Sequence, residues 1–78
     1  MKELLVSIVE GLVDNKDAIE VTVDEKNEEG IVVYHLHVDE NDMGRVIGKQ
    51  GRIAKAIRTV VKAAATKANA KVVVEIVQ

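Results

Sequence analysis

The stretch Gly48-Lys49-Gln50-Gly51 has the residue types and spacing to do chemistry. Glycines lack a Cβ, so a pair of them around two polar residues opens backbone conformations closed to other residues. It also lets another chain lie close against the backbone. Helical patterns enter this loop from Met43 and leave it from Arg52. A helix that starts at a loop turns its free N–H groups and the positive end of its dipole toward it, which makes an anion site before any side chain is counted. Arg45, Lys49 and Arg52 add cations within a turn or two, and Lys55 follows in the first turn of the second helix. A phosphate backbone could lie across such a loop at van der Waals distance.

Other chemistries fit less well. A mononucleotide P-loop needs G-x-x-x-x-G-K-[ST], and a dinucleotide fingerprint needs G-x-G-x-x-G after a strand. Gly44, Gly48 and Gly51 give G-x-x-x-G-x-x-G instead, and no hydroxyl follows Lys49. His35 and His37 stand two apart in a strand pattern, with Glu20 and Glu75 expected on the same sheet face. A metal site there would want a third ligand of the same kind, and the chain has neither a third histidine nor a cysteine. No metal and no cofactor is expected. The many Asp and Glu residues fall in loops and on solvent-facing strand positions, with no apolar pocket to shift a pKa, so catalysis is not expected either. Tyr34 is the single aromatic residue, which rules out stacking a row of bases on the sheet.

The elements that must position the loop can be read from periodicity. Leu4, Leu5, Ile8, Val9 and Leu12 recur at helical spacing over residues 2–14, with Gly11 weakening the last turn. Ile19, Val21 and Val23 alternate with polar residues as a strand does, and after the turn Lys26–Gly30 a second strand is expected over Ile31–Val38. That strand puts Val32, Tyr34, Leu36 and Val38 on one face. Asp39–Asp42 suits a helix N-terminus, so the spacing predicts a short helix over Met43–Ile47 and a long one from Arg52 to about Ala68. On a helical wheel Ile57, Ala64 and Ala68 lie within about 60° of Ile53 and form the expected core stripe. Lys55, Arg58 and Lys62 fall on the opposite side, and Lys62 and Lys67 are read as simply facing water. Lys71–Val77 closes the chain as a strand. The order α-β-β-α-α-β places the chain in the α+β class.

Seventy-eight residues make one domain, expected to span 1–78, and a domain of that size buries only roughly 60% of the surface its unfolded chain exposes. The apolar N-terminal stretch is broken by Glu3, Ser7, Glu10 and Gly11, and no run approaches the ~20 apolar residues that cross a membrane. A soluble, cytoplasmic protein with no membrane partner is expected. The net charge of −2 argues against nucleic acid until its distribution is seen. Residues 1–42 carry three basic against twelve acidic side chains, whereas residues 43–78 carry eight basic against Glu75 alone. Steering of a polyanion follows the local field, so the basic segment matters more than the total.

The run Val46-Ile47-Gly48-Lys49-Gln50-Gly51-Arg52-Ile53, with Gly44 before it and Ala54-Lys55-Ala56-Ile57-Arg58 after it, resembles the central motif of KH domains. The element order resembles their type II arrangement, and the length is similar to that of the stand-alone bacterial KhpA family. The resemblance covers the whole chain. It implies a three-stranded sheet with three helices on one face and a last strand parallel to the second. It implies single-stranded RNA as partner, with Gly48–Gly51 clamping the backbone of about four nucleotides. Gly44, Arg45, Arg52 and Lys55 would flank the clamp, and Ile47 and Ile53 would line an apolar groove for bases. A small RNA chaperone or post-transcriptional regulator is the function implied. A protein-interaction module that kept the KH shape is the alternative, since fold alone does not choose between them.

A dimer, with itself or with another RNA-binding protein, is also expected. Apolar residues of the long helix span about 200° of the wheel, more than the ~100° needed to face a sheet. The surplus includes the flank of Ala56, Val60 and Ala63, which could instead pack on the chain's own first helix.

Overall fold

Three helices pack on one face of a three-stranded sheet in the computed structural model, which describes residues 1–77. In chain order the elements are α1 (Lys2–Glu10), β1 (Glu20–Val23), β2 (Ile31–His37), α2 (Glu40–Ile47), α3 (Arg52–Lys67) and β3 (Lys71–Ile76). Short 3₁₀ turns stand at Lys16–Ala18 and Lys49–Gly51. The sheet order is β1-β2-β3, with β1 antiparallel to β2 and β2 parallel to β3. This is the α+β order and topology that the resemblance implies.

Residues from every helix and every strand show why the helices settle where they do. Leu5 and Val9 of α1, Val46 of α2 and Ile57 and Val61 of α3 meet Val21, Leu36 and Val74 of the three strands in one buried cluster. The strands alternate, so the opposite sheet face carries Thr22, His35 and Glu75, which stand beside one another in register. The β1–β2 connection is held by Asn27, whose side-chain oxygen accepts from the amides of Glu29 and Ile31, both at 2.9 Å.

Several boundaries differ from the sequence reading for local reasons. α1 stops at Glu10 with Gly11 as its C-cap, although Val13 still reaches the core. α2 starts three residues earlier than Met43, because Asp39 alone is the cap: its carboxylate accepts from the Asn41 amide at 2.9 Å. Asp42 is therefore inside the helix, and it is 3% exposed. The buried stripe of α3 is Ala54, Ile57, Val61 and Ala65. Of the expected stripe only Ile57 is fully buried; Ile53 and Ala64 are half-buried and Ala68 is exposed past the helix end.

Candidate nucleic-acid interface

The loop is built by ending one helix and starting the next within four residues. The Gly48 amide closes α2 by donating to the Gly44 carbonyl at 2.9 Å. Gly48 then takes φ 75°, ψ 176°, a backbone state essentially restricted to glycine. A second reason excludes any side chain there. A Cβ at Gly48 would collide with the Ile53 side chain and stand 2.9 Å from the Ile53 backbone nitrogen. Gln50 and Gly51 follow in left-handed conformations, φ 58° and 75°, and the Gly51 amide donates back to the Gly48 carbonyl at 3.2 Å. The loop thus turns twice and delivers the chain into α3.

Gly51 occupies the N-cap position of α3, so no side chain caps the first turn, and no acidic residue stands in it. The positive helix end is left uncompensated beside the exposed side chains of Lys49, Gln50, Arg52 and Lys55. Among the described residues, Lys49, Arg52 and Lys55 enter no ion pair. The fold therefore brings together glycine backbone, helix N-terminus and three free cations. Arg45 is placed differently. Its Nη1 donates to Asp14 Oδ1 at 2.9 Å, tying the end of α2 to the α1–β1 connection. Gly44 is exposed on α2, and a Cβ there would meet nothing.

Of the two isoleucines expected beside the loop, Ile47 is half-buried and Ile53 packs against the core. Ile53 also lines an apolar groove of about 260 Å³ between α1 and α3, with Ile8, Leu12, Ala56, Ile57 and Val60. A second groove lies on the other flank of α3, where Arg58 and Lys62 face Val72, Val73 and Val74 across about 270 Å³. It continues along β3 past Thr66 and Lys71 to Ile31. β3 is an edge strand, and the Val77 amide donates to the Leu36 carbonyl, so alternate residues Val72 and Val74 turn their backbone groups outward. One of these, the Val74 carbonyl, accepts from Arg58 Nε at 3.2 Å. Lys62 stays exposed, as expected, and also lines this groove with Arg58. The sign of this in the sequence was the i, i+4 spacing of Arg58 and Lys62, read together with the position of β3 at the sheet edge.

On the opposite sheet face His35 is held between two carboxylates, Nε2 at 2.8 Å from Asp24 Oδ2 and Nδ1 at 3.1 Å from Glu75 Oε2. The hydrogen bond to Asp24 above all, and the charges of Asp24 and Glu75, raise its pKa above the ordinary 6.5 against the opposing effect of desolvation. Among the described residues no group of three or more His, Cys, Asp and Glu is arranged to hold a metal ion. None of the described helices is long and apolar enough to cross a membrane.

Residues 2–76 match the family model of the KhpA/KhpB KH domain. The chain is 58% identical over 77 residues to the RNA-binding protein KhpA of Clostridium acetobutylicum, covering 99% of this chain and 100% of that one. It is 49% identical over 78 residues to the RNA-binding protein KhpA of Listeria monocytogenes, covering both chains fully. Against the RNA-binding protein KhpA of Aquifex aeolicus the identity is 45% over 78 residues, covering 100% of this chain and 96% of that one.

Proposed function

This chain belongs to the KhpA/KhpB KH-domain family, and on that premise we propose that it binds single-stranded RNA by clamping the phosphate backbone in the Gly48–Gly51 loop. The observation that carries the reading is the uncapped start of α3 at Gly51, with Lys49, Arg52 and Lys55 exposed around it and without ion-pair partners among the described residues. A phosphate set there accepts backbone N–H bonds and meets the positive dipole end. Gly51, where a Cβ would meet nothing within 4 Å, lets the RNA backbone approach closely. The groove of Arg58, Lys62 and the β3 edge offers cations and the outward-facing backbone of Val72 to the nucleotides that follow. A single strand suits this surface better than a duplex, whose base edges are already paired.

The chain acts in this reading as one domain over 1–78, a binding protein of the cytoplasm and not an enzyme, and serves as a small RNA chaperone or post-transcriptional regulator. One module reading about four nucleotides offers modest affinity. Pairing with a second copy, or with another RNA-binding protein, raises avidity by ~10²–10⁴ without new contacts to RNA. The half-exposed Val60 in its apolar groove is the observation that favours such an interface.

The clamp is tested by replacing Lys49 and Gln50 together with aspartate. Both side chains are exposed, and aspartate tolerates the left-handed conformation at position 50, so the fold is retained. Two negative charges then face the phosphates, and binding to a short single-stranded RNA is lost. Unchanged affinity with unchanged circular dichroism would mean that the RNA lies elsewhere.

A further inference from the structure

We propose that Asp14 is a positioning residue that competes with RNA phosphate for Arg45 and so sets how tightly the loop holds RNA; this rests on the RNA-binding reading above. Arg45 stands in the last turn of α2, three residues before Gly48, where it is the cation on the α2 side of the loop. Its partner Asp14 comes from the α1–β1 connection, 2.9 Å from Nη1, with the two side chains 58% and 78% exposed. A contact so open is within reach of an incoming phosphate.

Asp14 is held where it stands. Its amide donates to Asp42 Oδ1 at 3.1 Å and the next amide, Asn15, to Asp42 Oδ2 at 3.0 Å. The Asn15 side chain also donates to Asp39 Oδ2 at 3.0 Å. Asp39 and Asp42 belong to the start of α2, the helix that carries Arg45. The buried Asp42 carboxylate thus docks the connection onto that helix by its backbone, which leaves the Asp14 side chain free to reach along it to Arg45.

The physical consequence is a competition between two anions for one guanidinium. An exposed ion pair is weak, of the same order as a single phosphate contact, so RNA can displace Asp14 from Arg45. The displaced carboxylate cannot leave, because its backbone stays bound to Asp42, and it repels the phosphate that replaced it. Native Asp14 therefore weakens binding both by occupying Arg45 and by its own charge. Among the described residues, Lys49, Arg52 and Lys55 have no such competitor.

Asp14→Asn removes the charge and keeps the amide bond to Asp42. It is expected to tighten binding to a short mixed-sequence single-stranded RNA by about two- to fivefold at low salt, the range set by an exposed ion pair. The salt dependence should steepen by up to about 0.7 in log–log slope, the share of one phosphate neutralised on a single strand, because in the native chain Asp14 holds Arg45 back from part of that contact. Asp14→Glu should return both values toward the native ones. Combining Asp14→Asn with Arg45→Gln should abolish the gain, since its source is the freed guanidinium. A lowered melting temperature with no change in affinity or salt slope would make the pair a structural tie only and overturn the proposal. So would a gain that persists without Arg45, which would be a general effect of net charge. The Lys49, Gln50 double aspartate variant separates the two readings. If it binds as well as the native chain, the clamp itself is wrong; if it does not bind and Asp14→Asn equals native, the competition alone is wrong.

Discussion

Ile53 lies against Gly48 so closely that a Cβ on the glycine would sit 2.8 Å from the Ile53 Cβ. The contact joins the end of α2 to the first turn of α3 across the loop, so the shape of the clamp is tied to packing at the edge of the core. It also explains why Ile53 is half-buried and not wholly given to a ligand groove.

The two loop glycines should respond differently to alanine. At Gly48 the substitution meets both the collision with Ile53 and a backbone state essentially restricted to glycine, a cost of at least about 2 kcal/mol. At Gly51 a Cβ meets nothing within 4 Å, so only the left-handed conformation is charged, about 1–2 kcal/mol. Thermal melting should place Gly48→Ala below Gly51→Ala, with Gly51→Asn milder than either. Equal melting of the two alanine variants would mean that the Ile53 contact is relieved at no cost.

Asp42 should prove to be the polar residue on which the fold depends most. Asp42→Ala leaves the amides of Asp14 and Asn15 without their acceptor, a loss of about 2–3 kcal/mol. Asp42→Asn should recover part of it, because one oxygen still accepts while the new NH₂ faces an N–H. Denaturant unfolding of the two variants checks the order.

Periodicity made the element order and the loop legible, because alternation and helical spacing are local signals. The strands around Val21, Leu36 and Val74 and the glycine pair at 48 and 51 came from such signals. The burial of Asp42 did not, since a carboxylate within Asp39–Asp42 looks like any solvated cap and its partners lie 27 and 28 residues away. The Arg45–Asp14 pair is non-local in the same way. The buried face of α3 is not legible in the sequence, because alanine suits the core and solvent equally. A wheel anchored on Ile53 is offset toward the helix edge, away from Ala54, Val61 and Ala65.

Stability should fall as pH rises through the pKa of His35. Its folded pKa is raised above 6.5, chiefly by the hydrogen bond to Asp24, so the protonated ring is favoured in the folded state. The contribution is fully present below pH 6.5 and is lost as pH climbs through the raised folded value. Asp39 acts at the other end. Bonds from Asn15 and the Asn41 amide lower its pKa from 3.8, so its cap is intact above that value and is lost as pH falls through the folded one. Melting temperatures across this range should decline on the alkaline side, and His35→Gln should flatten that decline. A nuclear magnetic resonance titration that places His35 at or below 6.5 would contradict the assignment.

Val60→Glu should separate association from folding. Val60 is 48% exposed, so the chain's own α1 does not cover it, and a charge there should change stability by no more than about 0.5 kcal/mol. Its surroundings are nevertheless apolar: Ile8, Leu12, Ile53, Ala56 and Ile57 line the same groove of about 260 Å³. A helix from a second molecule would bury Val60 among them, and the exposed Ala56 and Ala63 would let its backbone come close. A glutamate at that position would have to be desolvated in the pair, and no cation lines the groove to meet it. Sedimentation should therefore show a folded monomer for Val60→Glu where the native chain associates, and RNA affinity should drop with the loss of the second site. A native chain that stays monomeric at high concentration would leave only pairing with a different RNA-binding protein. Association of Val60→Glu at native strength would place the joining surface away from α3.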